Sequence, residues 1–188
     1  MKKITFLILF TLLSWTVFAN GLTGIFGIDF GTNSENVKKL MSEKGWNLSK
    51  TDGTTLIYKK TKGTYASLIV DEIKIYFYED KFYDVFITFP INTKTDDIIS
   101  AVKAIQESCE LKYVNNEETS QSGIDILMYS YKDPNFNTFN LIVMGSKSIS
   151  MSTFELTDFK INSEKNDAEN KIKEEETARK NKSISSDL

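Results

Sequence analysis

The chain has 188 residues, of which 40% are hydrophobic, 12% aromatic and 26% charged, and its formal net charge is −3. This composition is typical of a globular protein, and it is too apolar for a wholly disordered chain and too short for a large multidomain enzyme. With no histidine, one cysteine (Cys109) and one arginine (Arg179), the sequence lacks the commonest general base and metal ligand, cannot form an internal disulfide, and has little capacity for bidentate phosphate or base recognition.

The N-terminal segment has the features of an export signal. Two lysines precede an almost entirely apolar run over residues 4–18, and the small residues Val17 and Ala19 have the spacing that signal peptidase accepts. We therefore predict that residues 1–19 are a signal peptide cleaved after Ala19. The apolar run, about 15 residues, is shorter than the ~20 that a membrane-spanning helix needs. An uncleaved anchor and a buried helix are the alternatives.

The predicted mature chain is acidic, because cleavage removes two lysines and no acid and so takes the net charge from −3 to about −5. Neither nucleic acid nor anionic lipid attracts such a protein electrostatically. We expect an exported protein, periplasmic or secreted, with no nucleic-acid partner and no membrane span after cleavage. In an oxidising compartment Cys109 must be shielded.

The first predicted elements are a glycine-punctuated lead and a helix. The glycines, Gly21, Gly24, Gly27 and Gly31, match neither phosphate-loop pattern, so we interpret them as a flexible lead. A helix is predicted over residues 34–44, with its apolar face formed by Val37, Leu40 and Met41 and its end at Gly45. Thr32, Asn33 and Ser34 are alternative N-caps, and Thr32 with Glu35 has capping-box spacing.

Four strands follow, at residues 55–59, 65–70, 72–78 and 82–89, with turns at Lys62-Gly63 and Glu79-Asp80. A second helix is predicted over residues 96–109, because Ile98, Val102, Ile105 and Cys109 form one apolar stripe. Thr93 and Asp96 again have capping-box spacing, and acids open the first turn, where the helix dipole favours them.

Three further strands are predicted at residues 124–131, 136–144 and 148–156. The last of these alternates Ser148, Ser150 and Ser152 with Ile149, Met151 and Thr153. We interpret the serines as a solvated face and the other three residues as a buried one.

These elements predict an α+β protein of order α-ββββ-α-βββ, with helices packed on antiparallel meander sheets. The domain extends over residues 20–162, and a shift of 61 residues aligns two possible tandem halves, 25–89 and 90–160. Residues 163–188 are a charged tail with no apolar stripe, either a solvated helix or disordered.

One local motif carries a resemblance. The run Gly31-Thr32-Asn33-Ser34-Glu35-Asn36-Val37 resembles the Gly-x-Thr/Ser-x-x-x-Val helix entry of the β-lactamase-inhibitor-protein-like and outer-membrane-assembly small lipoprotein families. Asn33 replaces the hydroxyl residue, Gly45 follows Val37 later than the family's closing glycine, and there is no lipidated cysteine. The resemblance implies an exported, non-enzymatic module that binds other proteins.

The residues offer few catalytic arrangements. Cys109 completes an apolar stripe and has no histidine to activate it, which favours a core role. Four acidic pairs could serve a carboxylate hydrolase, but all lie at predicted turns or a helix start, where solvated acids are common: Asp71-Glu72, Glu79-Asp80, Asp96-Asp97 and Glu117-Glu118. We predict no catalytic residues, cofactor or metal site.

Aromatic side chains on two adjacent strands are the strongest functional signal. Strict alternation places Tyr76 and Tyr78 on one face of their strand, and Phe82 and Phe86 on one face of the next. One face of this hairpin must pack under a helix, and the other exposes an aromatic platform unless the second half or Trp46 covers it.

Our first hypothesis is therefore an exported non-enzymatic module that binds a protein or envelope component through Tyr76, Tyr78, Phe82 and Phe86. The alternatives are an envelope accessory protein that acts through the charged C-terminal tail and, as the weakest case, a carboxylate-only hydrolase.

Overall fold

The structure, a computed structural model, describes residues 21–60, 62–121, 123–146 and 149–186. The predicted signal peptide of residues 1–19 lies outside these ranges. No helix within them is both long enough and apolar enough to cross a membrane.

The described residues form helices α1 (Ser34–Glu43), α2 (Thr95–Cys109) and α3 (Phe159–Ser186). The strands, in chain order, are β1 (Gly24–Ile25), β2 (Ile28–Asp29), β3 (Asn47–Asp52), β4 (Thr55–Lys59), β5 (Thr64–Tyr65), β6 (Leu68–Ile69), β7 (Glu72–Tyr78), β8 (Lys81–Thr88), β9 (Lys112–Gln121), β10 (Ile124–Lys132), β11 (Thr138–Ser146) and β12 (Ile149–Thr157). The strand pairings within the described residues are antiparallel, and the predicted α+β class is confirmed.

Eight strands form one sheet in the order β3-β4-β7-β8-β12-β11-β10-β9. Four of the six strands after α1 (β3, β4, β7 and β8) form one meander of this sheet, the four strands after α2 form another, and the two meanders meet where β8 pairs with β12. Two small hairpins, β1-β2 and β5-β6, lie outside this sheet. The large sheet is therefore continuous across both predicted halves.

The predicted order α-ββββ-α-βββ omits the two edge strands, β3 and β9. Every residue of β3 is exposed, as are residues 112–120 of β9. Because both faces of these strands meet solvent, neither has the apolar alternation that identifies a half-buried strand. Backbone pairing with β4 and β10 defines them instead.

The predicted strand over residues 65–70 is wrong. Ala66 and Ser67 both have positive φ, at 48° and 68°, which is the backbone of a tight two-residue hairpin turn. The segment therefore folds back on itself as β5 and β6, with Thr64 opposite Ile69, rather than pairing with β4.

Helix α1 begins at an asparagine cap and ends at a glycine. The Asn33 side-chain oxygen accepts a hydrogen bond from the Asn36 amide at 2.9 Å, so Asn33 is the cap among the three candidates. Val37 and Met41 are fully buried. Gly45, at φ 76°, turns the chain so that the Trp46 amide donates to the Met41 carbonyl at 2.9 Å.

Helix α2 buries the predicted stripe but lacks the predicted cap. Ile98, Val102 and Ile105 are at most 6% exposed, and Cys109 is partly buried against the core. The Thr93 hydroxyl donates instead to the Pro90 carbonyl at 2.7 Å, and the cap position is Lys94, whose side chain makes no capping bond.

The predicted faces of β12 are wrong at Ser152, which is buried, whereas Thr153 is buried as predicted, at 4% exposed. Ser152 is 8% exposed and shares its face with Phe154 and Leu156, which belong to the core. Met151 and Thr153 point to the other side of the sheet. Ser152 is buried because α2 lies over this face of the sheet, and the alternation of polar residues within the strand cannot reveal that cover.

The base of α3 is fixed to the sheet, whereas its later part is exposed. The Phe159 amide donates to the Asn137 side-chain oxygen at 3.0 Å, and Asp158 accepts from the Ile161 amide at 2.7 Å as an N-cap. Lys165 lies over the Tyr83 ring, 5.6 Å from its centre. Residues 171–181 are all exposed, so the predicted charged tail is helical over its described part.

We expect the change Asn33→Ala to lower the free energy of unfolding by about 1 kcal/mol, because it removes the side-chain oxygen that accepts from the Asn36 amide at the start of α1. Asn33→Asp keeps an acceptor and should retain most of the stability. Urea unfolding measures the effect. Asn36→Ala is the matched control, since that exposed side chain lies in the first turn of the same helix. An equal loss from both alanine variants would contradict the capping role.

Candidate binding surface

A β-bulge determines which aromatic side chains of the β7-β8 hairpin reach the surface. Ile73 lies opposite Ile87 and Ile75 opposite Val85, but the register shifts between Tyr76 and Phe77, so that Phe77 pairs with Phe82. The extra residue in β8 turns Phe82 towards the helices.

Phe82 is consequently a core residue, and its predicted place on the aromatic face is wrong. It is 0% exposed, and its ring contacts Phe30 at 4.9 Å and Phe77 at 6.4 Å between centroids. Strict alternation along the strand gives the opposite orientation, because it has no allowance for a bulge.

The side of the sheet opposite α1 and α2, here called the outer face, contains the other predicted aromatics. Tyr76 and Phe86 are partly exposed and pack edge to face, with ring centroids 5.5 Å apart. Tyr78 is also partly exposed and pairs with Lys81 at the end of the hairpin. The structure therefore brings Tyr76 and Phe86 together and leaves Tyr78 nearer the turn.

The register of the strands extends this face well beyond the aromatic pair. Thr153 of β12 lies opposite Ile142 of β11, which lies opposite Met128 of β10. The next row is formed by Met151, Met144 and Ile126 in the same way. Apart from Tyr78 near the turn, the partly exposed apolar side chains of the outer face are Tyr76, Phe86, Ile126, Met128, Ile142, Met144 and Met151.

Two carboxylates lie between the aromatic and the methionine-rich parts of the outer face. Asp84 lies opposite Thr157, whose hydroxyl donates to Asp84 Oδ1 at 2.9 Å. Glu155 lies opposite Phe86 and accepts from the Asn140 side-chain amide at 2.7 Å. Both acids are thus hydrogen-bonded to neighbouring strands.

Burial is the main reason that these two acids hold their protons unusually tightly. Asp84 is 9% exposed, and desolvation, reinforced by the nearby charge of Glu155, raises its pKa from 3.8 to about 7. Desolvation also raises the pKa of Glu155, against the hydrogen bond from Asn140. Near neutral pH the outer face can therefore change its charge.

The four acidic pairs singled out in the sequence lie at different places in the fold. Glu72 forms ion pairs with Lys59 and Lys74, at 3.6 and 3.4 Å. Asp80 accepts from the Ser34 amide at 3.0 Å, next to the start of α1. Asp96-Asp97 lies in the first turn of α2, and Glu117-Glu118 is exposed on β9.

Asp84 and Glu155 were not identified from the sequence, because each is a single acid and their partners lie on other strands. The one feature of the sequence that could have identified this site is Asp84 itself, because it is an acid within a largely apolar strand. Among the described residues, no group of three cysteine or acidic side chains is arranged to hold a metal ion.

The two predicted covers for the aromatic face lie elsewhere. Trp46 is 4% exposed and packs against Phe26, whose ring also contacts Tyr65, on the helix side of the sheet. The second half continues the sheet edge to edge and does not fold over it. Helix α3 contacts this hairpin near its turn, with Lys165 over Tyr83 and Glu164 3.8 Å from Lys81.

Comparison with known proteins gives no family match and a distant structural match. No protein-family model matches the chain. No curated protein matches its sequence. A structural match is the solution structure of cyanobacterial PsbP (CyanoP) from Synechocystis sp. PCC 6803, with 12% sequence identity, a TM-score of 0.40, and coverage of 74% of this chain and 86% of that one. The comparisons do not support the resemblance to β-lactamase-inhibitor-protein-like and lipoprotein families.

The raised pKa of Asp84 predicts how stability depends on pH. Because the folded chain binds this proton more tightly than the unfolded chain, the stabilisation is complete below about pH 4 and is lost as the pH rises to about 7. Each pKa unit corresponds to about 1.4 kcal/mol, so we expect a fall of a few kcal/mol in the free energy of unfolding.

Urea unfolding between pH 4 and pH 8 tests this expectation. Asp84→Asn keeps an acceptor for Thr157 and should remove most of the decrease, whereas the same change at the exposed Asp167 of α3 should leave it in place. An unaltered pH dependence in Asp84→Asn would show that another group is responsible.

Proposed function

We propose that this protein is an exported, non-enzymatic module that binds a protein component of the cell envelope through its outer face. The observation that carries the proposal is a pair of partly exposed apolar patches on adjacent strands, Tyr76 and Phe86 on β7 and β8 and the isoleucine and methionine side chains on β12, β11 and β10, with Asp84 and Glu155 between them. Contiguous apolar surface of this kind marks interaction sites in soluble proteins.

The composition of the outer face suits a protein partner. Tyr76 and Phe86 offer rigid aromatic area, which dominates the energy of many interfaces. Met128, Met144 and Met151 are unbranched and adapt to irregular surfaces. Between these groups, Asp84 and Glu155 give polar contacts that can select a partner.

Binding accounts for the two acids better than catalysis does. Asp84 and Glu155 are each fixed by a neighbour's hydrogen bond on the face of a sheet, and no histidine exists in the chain to share proton transfer with them. Cys109 is packed against the core. A non-enzymatic role is accordingly part of the proposal.

Export rests on the N-terminal sequence and agrees with the way in which the fold begins. Leu22, three residues after the proposed cleavage site, is 2% exposed, and its amide donates to Asp133 Oδ2 at 2.8 Å. The Leu22 carbonyl accepts from the Asn137 side chain at 2.8 Å. Cleavage after Ala19 would leave this anchored segment intact.

Partner capture from an envelope fraction of the source organism tests the proposal. We expect the double change Tyr76→Ser and Phe86→Ser to reduce the captured partner at least tenfold without unfolding the protein, because both rings are partly exposed. The matched control is Phe136→Ser together with Tyr113→Ser, which removes two exposed aromatics elsewhere and should leave capture unchanged.

Two further variants separate the alternatives. A chain that ends after Asn170 keeps the docked base of α3 and should still capture the partner; loss of capture would instead support a function in the charged tail. Phe82→Ser should lower the free energy of unfolding by about 3–5 kcal/mol, because this ring is buried. Normal stability of that variant would contradict the bulged register.

A further inference from the structure

The helix side of the sheet is covered unevenly. Eight strands spaced by about 4.8 Å extend roughly 34 Å across the sheet, whereas two helices, each about 10 Å wide, cover roughly 20 Å. On β7 and β8 the inward side chains Ile73, Ile75, Val85 and Ile87 are 0% exposed. On β11 Phe139 is also 0% exposed, but Leu141 is 7% exposed, and the inward side chains Leu127, Tyr129 and Val143 of β10 and β11 are only partly buried.

Incomplete cover leaves a groove between α2 and strands β10 to β12. Its volume is about 510 Å³. The floor includes Leu127, Tyr129 and Val143, all partly exposed although they face the helix side, and the wall includes Ile98 and Val102 of α2. This α2 groove is thus largely apolar and lies on the side of the sheet away from the outer face.

The volume of the α2 groove indicates the size of its occupant. It falls within the range of roughly 300–1,000 Å³ that small-molecule sites have. A helix about 10 Å across would fill the same volume with roughly one turn, too little for a helical partner to bury a useful apolar face. A single flexible hydrocarbon chain fits the groove better.

The rim of the α2 groove indicates the charge of its occupant. Lys103 is the only charged one of the described residues that line it, and it is exposed on α2. Among the described residues Lys103 has no ion-pair partner, unlike Lys38, which pairs with Glu35 at 2.7 Å. An apolar channel with one unpaired ammonium at its edge complements an anionic amphiphile.

We propose that the α2 groove binds a single-chain anionic amphiphile of the fatty-acid class, with its hydrocarbon chain over Leu127 and Val143 and its carboxylate at Lys103. This site is separate from the outer face and does not depend on the function proposed there. A free fatty acid, rather than a bilayer surface, is the occupant, because the groove lies between α2 and the sheet and has the volume for a single hydrocarbon chain.

Calorimetric titration of the purified chain from residue 20 onward, with laurate as monomer below its micelle concentration, tests the proposal. We expect saturable binding of one laurate per chain, and at least tenfold weaker binding of dodecyltrimethylammonium, which has the same chain and the opposite charge. Binding to vesicles of phosphatidylglycerol is measured in a separate titration. Binding to vesicles without saturable laurate binding would overturn the proposal in favour of a membrane surface.

Two variants locate the site. Lys103→Glu should weaken laurate binding at least fivefold and reduce the preference over dodecyltrimethylammonium, and Lys39→Glu, on the exposed face of α1, is its matched control. Val143→Trp should fill the groove and reduce laurate binding at least tenfold, with Val114→Trp on the exposed edge strand β9 as control.

The Lys103→Glu result decides the matter even if Val143→Trp fails to fold, since the Lys103 side chain is exposed and its replacement leaves the core unchanged. Equal laurate affinity in wild type and Lys103→Glu, with no change in head-group preference, would overturn the proposal. Saturable binding that Val143→Trp leaves unaltered in a folded protein would do so as well.

Discussion

The structure depends on the pairing of β8 with β12. Five residue pairs join strands that lie about 70 residues apart in the sequence, and they turn two separate meanders into one sheet. Ile87 lies opposite Phe154 and Val85 opposite Leu156, and all four side chains are fully buried on the helix side. Because the two strands are far apart in the sequence, bringing them together costs conformational entropy. The burial of these apolar side chains offsets that cost.

The same pairing fixes the chemistry of the outer face. When Val85 and Ile87 point to the helices, Asp84 and Phe86 must point outward, and their partners across the strand boundary are Thr157 and Glu155. A slip of one residue would bury Glu155 in the core and expose Leu156. The hydrophobic core therefore specifies the position of the two acids.

Sequence patterns predicted those elements whose burial repeats along the chain. Helix α2 and strand β7 have a clear period, because a single partner surface covers one face of each. The period fails for β3 and β9, which are exposed on both faces. Backbone pairing with neighbouring strands defines these edge strands, and the local pattern of apolar residues does not reveal such pairing.

The errors at the candidate site have similar causes. One inserted residue at the bulge moves Phe82 from the outer face into the core, and no residue in the hairpin signals its presence. Ser152 lies beneath α2 because of where the helix packs. Asp84 and Glu155 acquire their properties from Thr157 and Asn140, which only the three-dimensional register brings near.

The buried acid connects the outer face with the base of α3. Asp84 follows Tyr83 in the bulged part of β8, Tyr83 lies under Lys165, and the Tyr83 carbonyl accepts from the Asp158 amide at 2.7 Å. Lys165 also acts on Asp84 directly, by favouring its ionised form. A partner that places a positive charge on the outer face would favour the same form, because it offsets the desolvation that raises the pKa of this carboxyl. The ionisation of Asp84 therefore depends on the docked base of α3, and it would also respond to a charged partner on the outer face.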